Sequence, residues 1–308
     1  MPRVLPALAH LALWAGLYVV GAAICLAQLA GLDSLFTAPA AWRAALFTFC
    51  TAVAVYLLDR AKLTDSRFDP ADARAHPARY AFVTRHAAPI RALIVALLCV
   101  AAYLGSLLIN WGGVPFGAAI PLIAVLGVLL YAGGPRRARP RPKDLLLLKN
   151  TYVALGIAGF ATIVSVSATT ERGGSLADFA RTLAAHTLPL ACSAAHLVIR
   201  VFADAALCDL DDEDADRHYG TDTLATHLGR RRAWNTALTI RLLLAAAIAL
   251  TPLFPTTARL AWATVTVISS TALRLAAPAH LRDWVDARLF VEALAVAIIL
   301  ALGPAPPP

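Results

Sequence analysis

The sequence predicts an all-α, polytopic membrane protein, and three observations carry that prediction. Apolar residues make up 59% of the 308-residue chain, charged residues only 15%, and the mean hydropathy is +0.68. Soluble domains average roughly 45–50% apolar and about 25% charged, so one soluble core would not hide this much apolar surface. The apolar residues also fall in repeated stretches of about 20, the length an α-helix needs to cross a bilayer.

Nine spans are expected, at residues 5–30, 38–58, 89–109, 114–132, 146–168, 183–207, 233–253, 257–276 and 286–303. The first follows a short segment carrying Arg3; it is too long for a signal-peptide core and lacks a clear small-residue cleavage site, so it is expected to be retained. If the N-terminus is cytoplasmic, 21 of the 27 Lys and Arg residues lie on inner segments and four on outer ones. That bias orients the chain with its N-terminus inside and, after nine spans, its C-terminus on the opposite side. The net charge of +8 is then a topology signal, and a nucleic-acid partner is not expected. The run Arg136–Lys143 reads as part of that signal, touching anionic lipid. The lipid bilayer is the partner the composition implies, and no obligate protein partner is evident. Cys25, Cys50, Cys99, Cys192 and Cys208 show neither disulfide nor zinc spacing and read as small apolar residues. The tail Pro304–Pro308 is unable to extend a helix. Residues 1–308 form one expected domain, with two long cytoplasmic loops at 59–88 and 208–232.

Chemistry concentrates where the sixth span meets the second of those loops, in Leu207-Cys-Asp-Leu-Asp-Asp-Glu-Asp-Ala-Asp-Arg-His-Tyr-Gly220. If the helix continues through it, Asp209, Asp212 and Asp216 fall within about 60° of one another, at about 100° per residue. Such carboxylates repel unless a cation bridges them. Magnesium suits oxygen ligands of this kind, taking one or two carboxylates together with substrate phosphates. The alternative is a solvated acidic helix end. Gly220 offers a C-terminal cap. A calcium EF-hand is excluded, because no register supplies its sixth-position glycine.

Here the chain resembles a known family. The pattern Asp209-x-x-Asp212-x-x-x-Asp216-Arg217-x-x-Gly220-x-x-Thr223-Leu224, ending Leu228-Gly229, is similar to the second aspartate-rich motif of the UbiA-type intramembrane prenyltransferases. The resemblance implies nine helices around a central cavity and two aspartate-rich motifs, after helices two and six. It further implies magnesium (Mg2+) bound by those acids, holding the diphosphate of an isoprenyl donor for transfer to an acceptor. The first motif departs from the family pattern. In Val55-Tyr-Leu-Leu-Asp59-Arg60-Ala-Lys62-Leu63-Thr-Asp65 only Asp59 falls on a family aspartate, and Asp65 substitutes only if it reaches in from the loop. A variant branch with a Tyr-x-x-Asp-Arg motif fits better than a standard member. Asp69-Pro70-Ala71-Asp72 has a local explanation, an N-cap aspartate with proline at N1.

The resemblance assigns Asp59, Asp209, Asp212 and Asp216 to catalysis and, with Asp65, to the metal. Lys149, Arg60, Arg217 and Tyr219 are the expected contacts of the substrate. Lys149, early in the fifth span, is an expensive intramembrane cation that either serves the site or snorkels. Asp204 either extends the site or pairs with Arg200 one turn earlier. Asp286 and Glu292 are similar to acidic positions of the variant branch. His186 and His196 lack ligand spacing and are expected to be hydrogen-bonded in the interior. A terpene cyclase using the same ionisation, and a transporter or lipid-binding protein with an acidic cation site, are the competing readings. No Gly-x-Ser-x-Gly, Walker or His-Glu-x-x-His motif is present to suggest hydrolase, ATPase or zinc chemistry.

Overall fold

The computed structural model describes residues 9–32, 41–110, 113–132, 144–169, 175–275 and 281–302. Arg3, the basic run Arg136–Lys143, Arg172 and the proline tail lie outside them. The described residues are helical, with no strand. The long helices are α1 (Leu13–Ala30), α2 (Ala41–Ala61), α5 (Ala87–Leu108), α6 (Ile120–Ala132), α7 (Leu148–Thr169), α9 (Thr187–Tyr219), α11 (Arg230–Leu250), α12 (Thr256–Leu273) and α13 (Leu281–Leu302). Short helices α3 (Pro70–Ala75), α4 (Pro77–Arg85), α8 (Leu176–Ala185) and α10 (Leu224–Leu228) connect them.

Every expected span overlaps one of these nine helices. Six of them, α1, α2, α5, α7, α9 and α11, are long and apolar enough to cross a membrane on those criteria alone. The protein is an integral membrane protein. Helix α6 has only 13 residues, and α13 carries Arg282, Asp283, Asp286, Arg288 and Glu292 within its first twelve. Most of the two expected loops is helix. The 59–88 segment folds into the end of α2, a 3-10 turn at Asp65–Arg67, and α3 and α4. Residues 208–219 continue α9, which ends at Gly220 (φ 67°), the residue type that takes this backbone conformation without strain.

Helix α1 is the axis of the bundle, packing on α2, α7, α9 and α13. It is 83% buried over its apolar stretch, whereas α5, more apolar still, is only 28% buried and forms the periphery. Leu122, Ile123, Leu126 and Leu130 of α6 and Leu243 and Leu250 of α11 are exposed. In water such a surface would be an aggregation site; in hydrocarbon it is the solvent-matched face. Buried polar atoms on the axis are partnered: Trp262 Nε1 donates to Gln28 Oε1 at 3.0 Å, and Ser165 Oγ to Ala23 O at 2.9 Å. Helix α5 meets the 116–118 turn so closely that a Cβ on Gly105 would stand 2.3 Å from Gly117 O, so glycine is required there.

Five buried ionic side chains join the α9, α11 and α13 faces. Asp204 accepts from Arg241 at 2.5 Å, from Arg288, and from Tyr18 Oη at 2.8 Å. Glu292 contacts Arg200 and accepts from Arg241 at 3.2 Å. The expected Arg200–Asp204 pair along α9 is therefore not made. Arg200 turns to α13 and α12, where it reaches Glu292 and Thr266 and lies over the Trp262 ring, while helices α11 and α13 supply the cations for Asp204. His186 Nδ1 lies 3.2 Å from Thr182 O, as an interior hydrogen bond requires; buried His196 has no partner at Nε2.

Candidate active site

Continuation of α9 past the last apolar turn places Asp209 and Asp216 about 10 Å apart along one helix stripe, at 1.5 Å per residue. That stripe faces a cavity of about 790 Å³ bounded by α1, α2, α3, α4, α6, α7, α9 and α13. Nine aspartates line it, Asp59, Asp69, Asp72, Asp144, Asp204, Asp209, Asp212, Asp216 and Asp286, against four basic side chains, Arg60, Arg79, Lys149 and Arg282.

Each carboxylate on the stripe has a different environment. Asp209, buried, accepts from Lys149 Nζ at 2.6 Å and Asn150 Nδ2 at 3.0 Å, both from the first turn of α7. Asp212 is clasped from two sides: Arg282 donates to it (3.1 and 3.3 Å), and His76 Nε2 lies 2.6 Å from its Oδ1. Asp216 is 3.9 Å from Lys149 Nζ, and its Oδ2 is buried with no hydrogen-bond partner. Asn150 Oδ1 is likewise buried and unpartnered. Lys149 therefore sits inside the cavity wall between two acids, where the snorkelling alternative would have carried it outward.

On the opposite wall, Asp59 lies 2.6 Å from Lys62 Nζ, and Arg60 donates to the carbonyls of Ala9 and His10 while lining the cavity. Asp65 does not join them. It is exposed outside the cavity and pairs with Arg91 at 2.7 Å, because the chain turns away after Lys62 (φ 51°). Arg217 and Tyr219 are also absent from the lining: Arg217 pairs with Glu213 one turn back at 2.9 Å, and Tyr219 packs against His218. Asp69 caps α3 as expected, accepting from Ala71 N at 3.0 Å, but it and Asp72 also line the cavity. Asp286 lines it too, whereas Glu292 is held in the buried arginine network.

The site includes residues that local sequence did not single out. Asn150, His76, Arg79 and Arg282 belong to it, along with Tyr131, while Tyr56 of the first motif lines it as well. Only Asn150 carried a signal, as a polar neighbour of an intramembrane lysine. His76 and Arg79 come from the loop helices, and Arg282 from the start of the last span. Burial lowers the His76 pKa against the hydrogen bond to Asp212, which raises it, and the Arg282 and Arg79 charges lower it further. Burial, with the Arg282 and Arg60 charges beside it, pushes Arg79 down to about 9. An anion at this mouth would relieve that cost. His76 also fastens α3 and α4 to α9. The variant His76→Phe is expected to raise amide exchange over residues 70–85 by roughly tenfold, the loss of one partly buried hydrogen bond, with the long helices unchanged.

Asp216 Oδ2 and Asn150 Oδ1, both hard oxygen donors among carboxylates, fit a magnesium ion in part. Among the described residues no three His, Cys, Asp or Glu side chains converge to hold a metal alone. Magnesium characteristically completes its shell with water and substrate phosphate.

No protein-family model matches the sequence, and neither does any curated protein. Solved structures do match in shape. A UbiA homologue from Aeropyrum pernix K1 in its apo form aligns with a TM-score of 0.61, at 17% identity, over 93% of this chain and 97% of its own. A digeranylgeranylglyceryl phosphate synthase aligns with a TM-score of 0.51, at 12% identity, over 98% and 99%. At these identities the likeness establishes the fold: the chain has the UbiA-type helical architecture along nearly its whole length.

Proposed function

We propose that this UbiA-type membrane protein is a magnesium-dependent prenyltransferase, moving an isoprenyl group from its diphosphate to a small acceptor. The observation that carries the reading is one juxtaposition. Free oxygens of Asp216 and Asn150, with the Lys149 ammonium, stand at the charged mouth of a cavity whose interior is apolar along α6 and α7.

The charge balance supports it. Nine acids against four bases leave the lining too negative for a diphosphate unless cations accompany it. Asp216, Asn150, Asp209 and Asp212 would hold magnesium, and Asp59 would face it from α2. Bound there with the donor, the ion would withdraw negative charge from the leaving diphosphate. Lys149, Arg60, Arg79 and Arg282 are positioned to take phosphate oxygens, offsetting charge as the C1–O bond breaks with its electron pair on the diphosphate. The acceptor supplies the pair for the new bond to C1, and its displaced proton leaves with the diphosphate. Helices α6 and α7 would flank the allylic chain with Ile120, Val128, Ile157 and Phe160, keeping water from the cationic carbon. The basic-residue bias supports a cytoplasmic position for this mouth.

Purified protein given magnesium, isoprenyl diphosphates of several lengths and an acceptor panel is expected to release diphosphate and form prenylated product. Removing magnesium with a chelator is expected to stop the release. Absence of release across the whole panel would refute the assignment.

A further inference from the structure

The cavity is divided by chemistry. Along α7 it extends from Lys149 to Ile163, about 21 Å at 1.5 Å per residue, and that side is apolar below Tyr152. Against α1, α2 and α9 it carries three polar side chains well below the acidic stripe, Tyr18, Thr51 and Asp204, which form a polar floor. Asp204 lies five residues, about 7.5 Å, deeper on α9 than Asp209, and Thr51 eight residues, about 12 Å, deeper on α2 than Asp59. Gly16 abuts Val53, and in this antiparallel register Thr51 comes opposite Tyr18.

The floor has unused hydrogen-bonding capacity of a specific kind. A carboxylate has about four lone-pair sites. Asp204 Oδ1 accepts from Arg241 and Arg288, and Oδ2 accepts only from Tyr18, so one site on Oδ2 is open. Tyr18 has spent its proton on Asp204 and keeps its lone pairs. Thr51 Oγ1 is buried without any partner. The floor thus offers acceptors at Asp204 and Tyr18 and a donor at Thr51.

Charge narrows the ligand. A carboxylate group placed here would be an acceptor facing acceptors, since Tyr18 gives its proton to Asp204 Oδ2 and Thr51 alone is left to donate. An ammonium would meet a network in which Arg200, Arg241 and Arg288 outnumber Asp204 and Glu292 by one charge. A neutral hydroxyl meets neither penalty, and it both donates to Asp204 or Tyr18 and accepts from Thr51.

We infer that Tyr18, Thr51 and Asp204 form the acceptor subsite, and that it selects a neutral, hydroxyl-bearing acceptor. The inference rests on the prenyltransferase reading and deepens it: the prenyl chain takes the α6–α7 side, and the acceptor's hydroxyl anchors on the α1–α2–α9 floor.

The test uses the full chain in detergent with magnesium, geranylgeranyl diphosphate, and acceptors in matched sets. Hydroquinone and a 1-O-alkylglycerol are the neutral probes, 4-hydroxybenzoate the anionic one and an alkylamine the cationic one. Donor binding is measured separately by equilibrium filtration. A neutral probe is expected to be prenylated at least tenfold more efficiently than either charged one. Tyr18→Phe and Thr51→Val are each expected to raise its KM about tenfold, one hydrogen bond's worth, with donor binding unchanged. Both variants keep the Asp204–arginine contacts, so the fold is preserved. Preference for a charged probe, unchanged acceptor KM in both variants, or donor binding without transfer to either neutral probe would overturn the subsite and leave the donor site standing. Failure to bind donor would overturn both.

Discussion

Replacing Asp216 by alanine is expected to slow diphosphate release by about 10²–10³-fold, roughly 2.7–4 kcal/mol of lost charge stabilisation, with thermal unfolding unchanged. The separation of activity from stability follows from the environment of this one carboxylate. Its Oδ2 has no hydrogen-bond partner, and its cation, Lys149, lies 3.9 Å away and keeps Asp209 at 2.6 Å. Removing it strands nothing. Asp209→Ala would leave Lys149 and Asn150 without their acceptor, and Asp212→Ala would strand Arg282 beside His76, so both confound chemistry with folding. Steady-state release assays and melting curves in the same detergent read the two quantities together. Activity within fivefold of wild type would remove Asp216 from the site.

Glu292→Ala is expected to destabilise the bundle by about 3–5 kcal/mol, the cost of leaving a buried charge unpaired. Arg200, fully buried, would keep only Thr266 Oγ1 and the face of Trp262. The network would then hold three guanidiniums against Asp204 alone. Arg241→Met is expected to cost less, because it leaves two cations and two carboxylates still in contact through Arg200–Glu292 and Arg288–Asp204. Thermal unfolding in micelles checks the order as well as the size of the two effects. An Arg241 variant less stable than the Glu292 variant would show that charge balance is not what holds this network.

Position along the chain made the helices legible. Apolar stretches of bilayer length exist because each span must be apolar whatever it packs against, so each expected stretch overlaps a helix among the described residues, six of them long and apolar enough to cross a membrane. The acidic stripe was legible for the same local reason: Asp209, Asp212 and Asp216 share a face through helical periodicity alone, and Gly220 ends the helix by its own φ preference. Lys149 was legible because a lysine inside an apolar run is costly without a purpose.

What failed involved reach between segments. Asp65 substitutes in the first motif only by reaching in from the loop, and backbone direction after Lys62 turns it out to Arg91 instead. Arg217 had an acidic neighbour one turn away on its own helix and took it. The Arg200–Asp204 pair was equally plausible locally and was not made, since Arg241 and Arg288 on other helices take Asp204 while Arg200 reaches Glu292.

The sequence by itself determined that the chain is a helical membrane protein and that one helix end presents three carboxylates on a common face. Both follow from composition and periodicity, which act within a single segment. Tertiary structure decided which cations answer those carboxylates, that His76, Arg79 and Arg282 complete the mouth, and that Tyr18, Thr51 and Asp204 make the cavity floor polar. Such pairings join residues as far apart as Tyr18 and Asp204, and only the packing of the helices against one another sets those distances.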